Sequence, residues 1–173
     1  MALEIPQVTY NDRPPPAFAG MLGDCGPWDI QSCLAEADLD CGLGLVYGTQ
    51  PSGHDVSTPV VDLPANTGEV AKFMGVSQYL SQREPNGTSA ARYAAKSGVP
   101  VVRKGRIWVK IDATAGSSLA NEGPVFLVHS GAQAGKFRQD TGAGGTAATA
   151  ISGARVRVGG SEGGIALVDF NIP

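Results

Sequence analysis

The sequence predicts an all-β fold: a compact β-sandwich or small barrel, jelly-roll-like, preceded by an extended N-terminal arm. Three observations lead there. Glycine (24) and proline (12) make up a fifth of the 173 residues, and neither favours a helix interior. Apolar residues, at 42%, still suffice for a core, and Gly plus Pro stay below the ~25–30% of low-complexity chains. The third is the stretch Val99 to Asp112. It places Ile107, Val109 and Ile111 on one side of an extended chain and Arg106, Trp108 and Lys110 on the other. That period of two is the pattern of a half-buried strand. The length suits one domain, so residues 1–20 read as the arm and 21–173 as a single β domain.

The arm is polar and broken by Pro14-Pro15-Pro16. A proline run prefers an extended conformation and cannot join the middle of a sheet. Leu3, Ile5, Val8, Tyr10 and Phe18 dot it, so it reads either as a segment that lies across another surface or as a loose terminus. With the prolines, these are the partner-contact candidates. Gly20 to Pro27 turns repeatedly. Trp28 to Ala35 then alternates as a strand, an acidic connection follows over 36–40, and Cys41 to Tyr47 is a strand with Gly42 and Gly44 on one face. Gly48 to Val56 is a loop, and Val60 to Leu63 a short strand broken by the Pro64–Gly68 run. Val70 to Leu80 resumes extended character. Residues 81–98 form a polar excursion in which Ala90–Ala95 fits a helix or a strand equally; its Asn86-Gly87-Thr88 reads as a turn rather than a glycosylation acceptor.

Lys104-Gly105 separates Val99–Val102 from Ile107–Ile111, and a glycine there suits a tight hairpin, so the two runs are expected to pair with each other. A second layer must then cover the Ile/Val face, because a lone hairpin is marginal in water. Val125 to His129 is apolar on both faces and reads as a central strand. The long segment 130–150 is loop-like, with a short strand at Lys136–Arg138; its length marks it as functional or disordered. Ala154–Val158 and Ile165–Ile172 are the last strands, joined by a flexible Gly-rich turn. Strands of five to eight residues with such turns fit a sandwich or barrel.

A net charge of −3 without long single-sign runs offers no footprint for nucleic acid or a membrane surface. No stretch approaches the ~20 apolar residues that span a bilayer, and the first residues lack a secretory pattern. Cys25, Cys33 and Cys41 recur every eight residues, unlike the close Cys pairs of structural zinc sites. They read as small apolar side chains, and no metal or cofactor is expected. His54 and His129 belong to no metal-binding spacing, and His54 with its neighbour Asp55 would point apart in a strand. Gly42-Leu43-Gly44 and Gly142-Ala143-Gly144-Gly145 lack the lysine or dinucleotide pattern of a phosphate loop. The chain is therefore not expected to be an enzyme. Arg103, Lys104, Arg106 and Lys110 beside Trp108 could form a nucleic-acid platform, but solvated edge-strand charges explain them better.

The order of these features resembles the structural cement (head decoration) proteins of tailed phages. The residues that carry the resemblance are Gly44-Leu45-Val46-Tyr47-Gly48, Phe73-Met74-Gly75-Val76-Ser77-Gln78, the run Val101 to Val109, and the polar loop before Ala154-Arg155-Val156. The resemblance implies a compact, oligomeric β domain, a homotrimer with a dimer as the other option. It implies a place on the outside of the assembled head, after assembly in the host cytoplasm, with the major capsid protein as partner. The alternative is a virion module that binds carbohydrate or a host surface through Trp28, Tyr47 or Trp108.

Overall fold

The computed structural model describes residues 17–24, 26–50, 57–80, 92–142 and 147–172. Leu3, Ile5, Val8, Tyr10, Pro14, Pro15, Pro16, Cys25, His54, the Asn86-Gly87-Thr88 turn and Gly144-Gly145 lie outside the described residues. The regular structure of the described residues is almost entirely strand. In order it forms β1 (Asp29–Ala35), β2 (Leu39–Asp40), β3 (Gly44–Tyr47), β4 (Val60–Asp62), a helical turn α1 (Thr67–Val70), β5 (Phe73–Ser77), β6 (Arg92–Tyr93) and β7 (Gly98–Lys110). Then come β8 (Phe126–Val128), a 3-10 turn (Gly131–Gln133), β9 (Phe137–Arg138), β10 (Ala148–Ala150), β11 (Ala154–Val158) and β12 (Ile165–Asn171).

The main sheet runs β1-β4-β3-β5-β7, and β1 also pairs with β7. Those five strands therefore close into a small barrel, which removes the open edges that invite stray pairing. β12 and β11 extend the sheet beyond β7. The outer edge of β11 is not bare: Glu122 N–H donates to the Val156 carbonyl, and Leu119 bridges Gly160.

β7 holds both parts together. The expected hairpin at Lys104-Gly105 does not form; Gly98–Lys110 is one continuous strand of 13 residues. A two-residue hairpin of the type-I′ kind needs positive φ at both central residues. Gly105 has φ of +115°, but Lys104 is not among the positive-φ residues. The glycine serves instead where the strand changes partners: β1 pairs along 98–104 and β12 along 104–110. A Cβ at Gly105 would run into the indole of Trp28, which packs across it. The β1 register steps from Asp29↔Lys104 to Ile30↔Val102, leaving Arg103 as an extra residue. One extra residue flips the side-chain faces of a strand. Val99 and Val101 accordingly face the barrel interior with Cys33, Ala35, Leu39, Cys41, Leu45, Met74 and Tyr93. Val102, Ile107, Val109 and Ile111 face a second core with Leu127, Phe137, Val156, Val168 and Phe170.

That second core is covered by the separate sheet β10-β8-β9. β8 lies at its centre, as its doubly apolar sequence predicted, and the short strand expected at Lys136–Arg138 is β9. The segment 130–150 is thus far from a bare loop: it supplies both flanking strands of the covering layer. Phe137, fully buried, stacks near Phe170 with ring centroids 5.8 Å apart. Each such fully buried large apolar side chain contributes ~1.5–3 kcal/mol relative to exposure. Two local details depart from expectation. Thr67–Val70 winds into a helical turn, because the Asn66 side chain accepts from the Glu69 N–H at 3.2 Å and donates to the Glu69 carboxylate at 2.8 Å, a reciprocal cap. Arg92–Tyr93 resolves as a strand, pairing with Leu39–Asp40.

Candidate partner-binding surfaces

The one arm candidate within the described residues is Phe18, and its surroundings are tightly built. Ala17 is buried, while Phe18 is 50% exposed with its ring centroid 5.3 Å from that of Tyr79. Leu80, next to Tyr79 in the chain, is also exposed. Just after Phe18 the chain is stitched down. Gly20 N–H donates to the Trp108 carbonyl at 2.6 Å, Tyr79 N–H donates to the Gly20 carbonyl at 2.8 Å, and Trp108 N–H donates to the Met21 carbonyl at 2.9 Å. Gly23 N–H donates to the Arg106 carbonyl at 2.7 Å. Residues 20–23 thus run along β7 as a partial extra strand, with Leu22 bridged to Ile107. Gly20 is required here: its φ is +83°, and a Cβ would meet the Tyr79 backbone nitrogen and the Cys41 Cβ. The segment that follows residue 16 therefore enters the domain at a fixed root.

A second surface lies along β7, β12 and β11. A groove of about 980 Å³ is bounded by Asp24, Arg106, Asp169, Arg157, Glu122 and Arg155 among others. These six form a ladder of alternating charge: Asp24–Arg106 at 2.9 Å, Arg106–Asp169 at 3.6 Å, Asp169–Arg157 at 2.9 Å, Arg157–Glu122 at 3.3 Å and Glu122–Arg155 at 2.7 Å. The hydrogen bonds to Asp169 push the Arg157 guanidinium above its ordinary value. Arg155 sits directly opposite Asp169 in the β11–β12 register, yet Asp169 pairs diagonally with Arg157 while Arg155 turns to Glu122.

The basic residues around Trp108 do not form an open platform. β7 is a central strand, so they are not edge charges either; Arg106 and Lys110 sit in ion pairs, Lys110 reaching Asp40 at 2.8 Å. Burial alone would raise the Asp40 carboxyl, but hydrogen bonds from Lys110 and Arg92 outweigh it and hold it below the usual carboxylate range. Asp62 goes the other way, raised by burial and by the nearby Glu36 and Glu69 charges against the Leu63 N–H bond. Trp28 and Tyr47, two of the three aromatic candidates for sugar contact, are exposed, whereas Trp108 is half-buried in β7.

Among the described residues no group of three or more His, Cys, Asp or Glu could hold a metal ion. Cys33 and Cys41 are buried, and the Cys33 thiol is pushed up to about 12 by burial, with Arg103 opposing. Its Sγ lies 3.8 Å from the Met74 Sδ, the setting of a small apolar side chain. His129 is buried with its Nε2 3.4 Å from the Thr67 hydroxyl. The one buried ionic group among the described residues was not foreseen: Arg138 and Asp112, 1% and 0% exposed, pair at 2.9 Å. Arg138 also binds Asp140, holding that carboxyl below the usual range.

This small closed barrel with a covering sheet is an architecture also found in a virus shell. In the solved capsid of Myoviridae phage XM1, one chain is similar to this one with a TM-score of 0.68 at 17% identity, over 95% of this chain and 98% of that one. The family model described as structural cement protein (E217 gp24/Pam3 gp6) matches residues 6–171, and the chain belongs to that family. It is thus a structural protein of the phage virion. The head fibre gp8.5 N base of bacteriophage phi29 is similar at a TM-score of only 0.43 and 10% identity, covering 84% of this chain and 95% of that one. Among curated proteins nothing matches.

Proposed function

We propose that the protein is a capsid decoration protein that binds the outer surface of the assembled head and stabilises it by bridging neighbouring major capsid protein subunits. It acts as a homotrimer, without catalysis or cofactor, and residues 1–20 reach the shell or a neighbouring copy. The observation that supports this most directly is the fixed root at Ala17–Gly23. Residues 1–16, if fully extended, reach roughly 50 Å, long enough to cross a subunit boundary. Leu3, Ile5, Val8, Tyr10 and Phe18 supply the apolar contact, and Pro14, Pro15 and Pro16 reduce the ordering entropy lost on docking.

The energetic logic is mass action. A ligand that binds only the assembled shell stabilises it by RT ln(1 + [L]/Kd), about 2.7 kcal/mol at a hundredfold excess over Kd. Joining several weak contacts in one oligomer multiplies the effect. The test is to produce heads with a chain lacking residues 1–16 and measure occupancy by mass spectrometry and head stability by thermal release of DNA. Reduced occupancy, with heads that open at lower temperature, is expected. Full occupancy with unchanged head stability removes the arm from the mechanism. Heads equally stable with no copy of the protein at all remove the cement role itself.

A further inference from the structure

The ion-paired groove has no part in the arm mechanism, and its construction is that of a ligand site. We propose that it binds a carboxylated oligosaccharide, stacked against Trp28 and held by the charge ladder. Four features of the groove support this.

Trp28 is 38% exposed, large for a tryptophan in a folded domain, and its position is fixed. The indole N–H donates to the Asp24 carboxylate at 3.4 Å, and the ring lies over Gly105; both partners line the groove. Trp28 does not itself line the groove, but a tryptophan held against two residues that do offers an apolar face beside it on which the C–H face of a pyranose can stack. Gly26, Gly105, Gly123 and Gly153 line the groove, so a ligand can approach the backbone closely. The ladder then supplies the polar contacts. A sugar hydroxyl both donates and accepts, and alternating guanidinium and carboxylate groups present an acceptor beside a donor at every step. Because the charges already neutralise one another, covering them with a ligand strands no single ion. The volume of about 980 Å³ is at the upper end of the ~300–1,000 Å³ of small-ligand sites.

The fourth feature sets the charge of the ligand. Four cations, Lys104, Arg106, Arg155 and Arg157, line the groove against three carboxylates, Asp24, Asp169 and Glu122. Lys104 is exposed and, among the described residues, has no carboxylate within 4 Å. It stands one residue from Gly105, within reach of a ligand stacked on Trp28. An acidic sugar would complete the pairing that the ladder leaves open, whereas a neutral one would forgo it.

The intact protein is titrated by calorimetry with oligogalacturonate as the carboxylated probe, dextran oligosaccharides as the neutral probe and polyglutamate as an acidic peptide. Oligogalacturonate should bind at least tenfold more tightly than the dextran probe. Trp28→Ala should weaken oligogalacturonate at least tenfold and Trp28→Phe, which keeps an aromatic ring, much less, both measured at a temperature where circular dichroism shows the fold intact. Lys104→Gln, at an exposed position, should bring the acidic and neutral sugars to equal affinity. Lack of oligogalacturonate binding, equal binding of the two sugars by the wild type, or affinity unchanged in Trp28→Ala would overturn the proposal. Polyglutamate binding as tightly as oligogalacturonate would assign the groove to acidic peptides instead. Head occupancy of Trp28→Ala should match the wild type, so the outcome is independent of the capsid-bridging role.

Discussion

The buried Asp112–Arg138 pair permits the sharpest numerical test. Asp112 lies two residues past the end of β7 and is fully buried; one carboxylate oxygen accepts from the N–H and hydroxyl of Thr114, each at 2.9 Å, and the other accepts from Arg138 Nη1 at 2.9 Å. Arg138 belongs to β9, so this pair pins the covering sheet to the end of the central strand. In Asp112→Asn the Thr114 bonds survive on the amide oxygen, but the amide nitrogen then confronts the guanidinium, donor against donor. Removing one partner of a buried pair costs ~3–5 kcal/mol, and the retained Arg138–Asp140 contact places this case toward the lower end. For a domain of this size 1 kcal/mol moves the melting temperature by roughly 2–4 °C, so a fall of about 6–12 °C is expected. Arg138→Met alone should cost a similar amount, because it leaves a carboxylate buried without its cation. The double variant Asp112→Asn/Arg138→Met removes both charges, keeps the Thr114 bonds and fills the space with methylenes, so its loss should be well below the sum of the singles. Guanidinium and thermal unfolding followed by circular dichroism measure all three. A loss under about 1 kcal/mol in Asp112→Asn, or strict additivity in the cycle, would refute the view that this pair anchors the second layer.

Three further outcomes follow from the same structure. Asp40 has its folded-state carboxyl lowered by Lys110 and Arg92 despite burial; its contribution is present above the unfolded value of ~3.9 and is lost as pH falls through the folded one. Lys110→Met should therefore flatten the acid limb of a stability-against-pH curve, whereas Asp62→Asn should lower the stability gained on acidification, since Asp62 is raised by burial. A variant curve superimposable on the wild type in either case contradicts the assignment. Gly75 has φ of +152° and a Cβ there would collide with the Val102 carbonyl oxygen in the adjoining strand. Backbone cannot step aside as a flexible side chain can, so Gly75→Ala should cost about 1–3 kcal/mol, read as a lowered guanidinium midpoint; an unchanged midpoint would show that β5 and β7 can separate freely.

The strands were legible wherever the signal was periodic and local. Ile107, Val109 and Ile111 alternate over a short window and are buried, as is Val156 between Arg155 and Arg157; Val158, in the same phase, is 45% exposed because the β11–β12 register shifts between Val156 and Val158. Gly105 shows where such reading stops. Lys104-Gly105 between two apolar runs is locally the same whether the chain reverses or passes through. What decides is distant: Trp28 laid across the glycine, and two edges, β1 and β12, competing for successive halves of one strand. The Asp112–Arg138 pair was hidden for a related reason, since its members lie 26 positions apart in segments with no shared period. The Asn66–Glu69 cap, by contrast, is a three-residue spacing that could have been found by asking where a buried valine at position 70 gets its backbone partners.

The continuity of β7 also bears on how a cement could work. In the proposed role, force borne by residues 1–16 enters the domain at the root, where Gly20, Met21 and Gly23 exchange hydrogen bonds with Trp108 and Arg106 of β7. Antiparallel bonds of this kind, set side by side along one strand, share a load directed along that strand instead of opening one at a time. β7 passes the load both to the closed barrel through β1 and β5 and to the second core through β12. A hairpin at Gly105 would have divided those two cores at a flexible turn. One unbroken strand makes them a single body, so a clamp attached at one end of β7 is resisted by the packing of the whole domain.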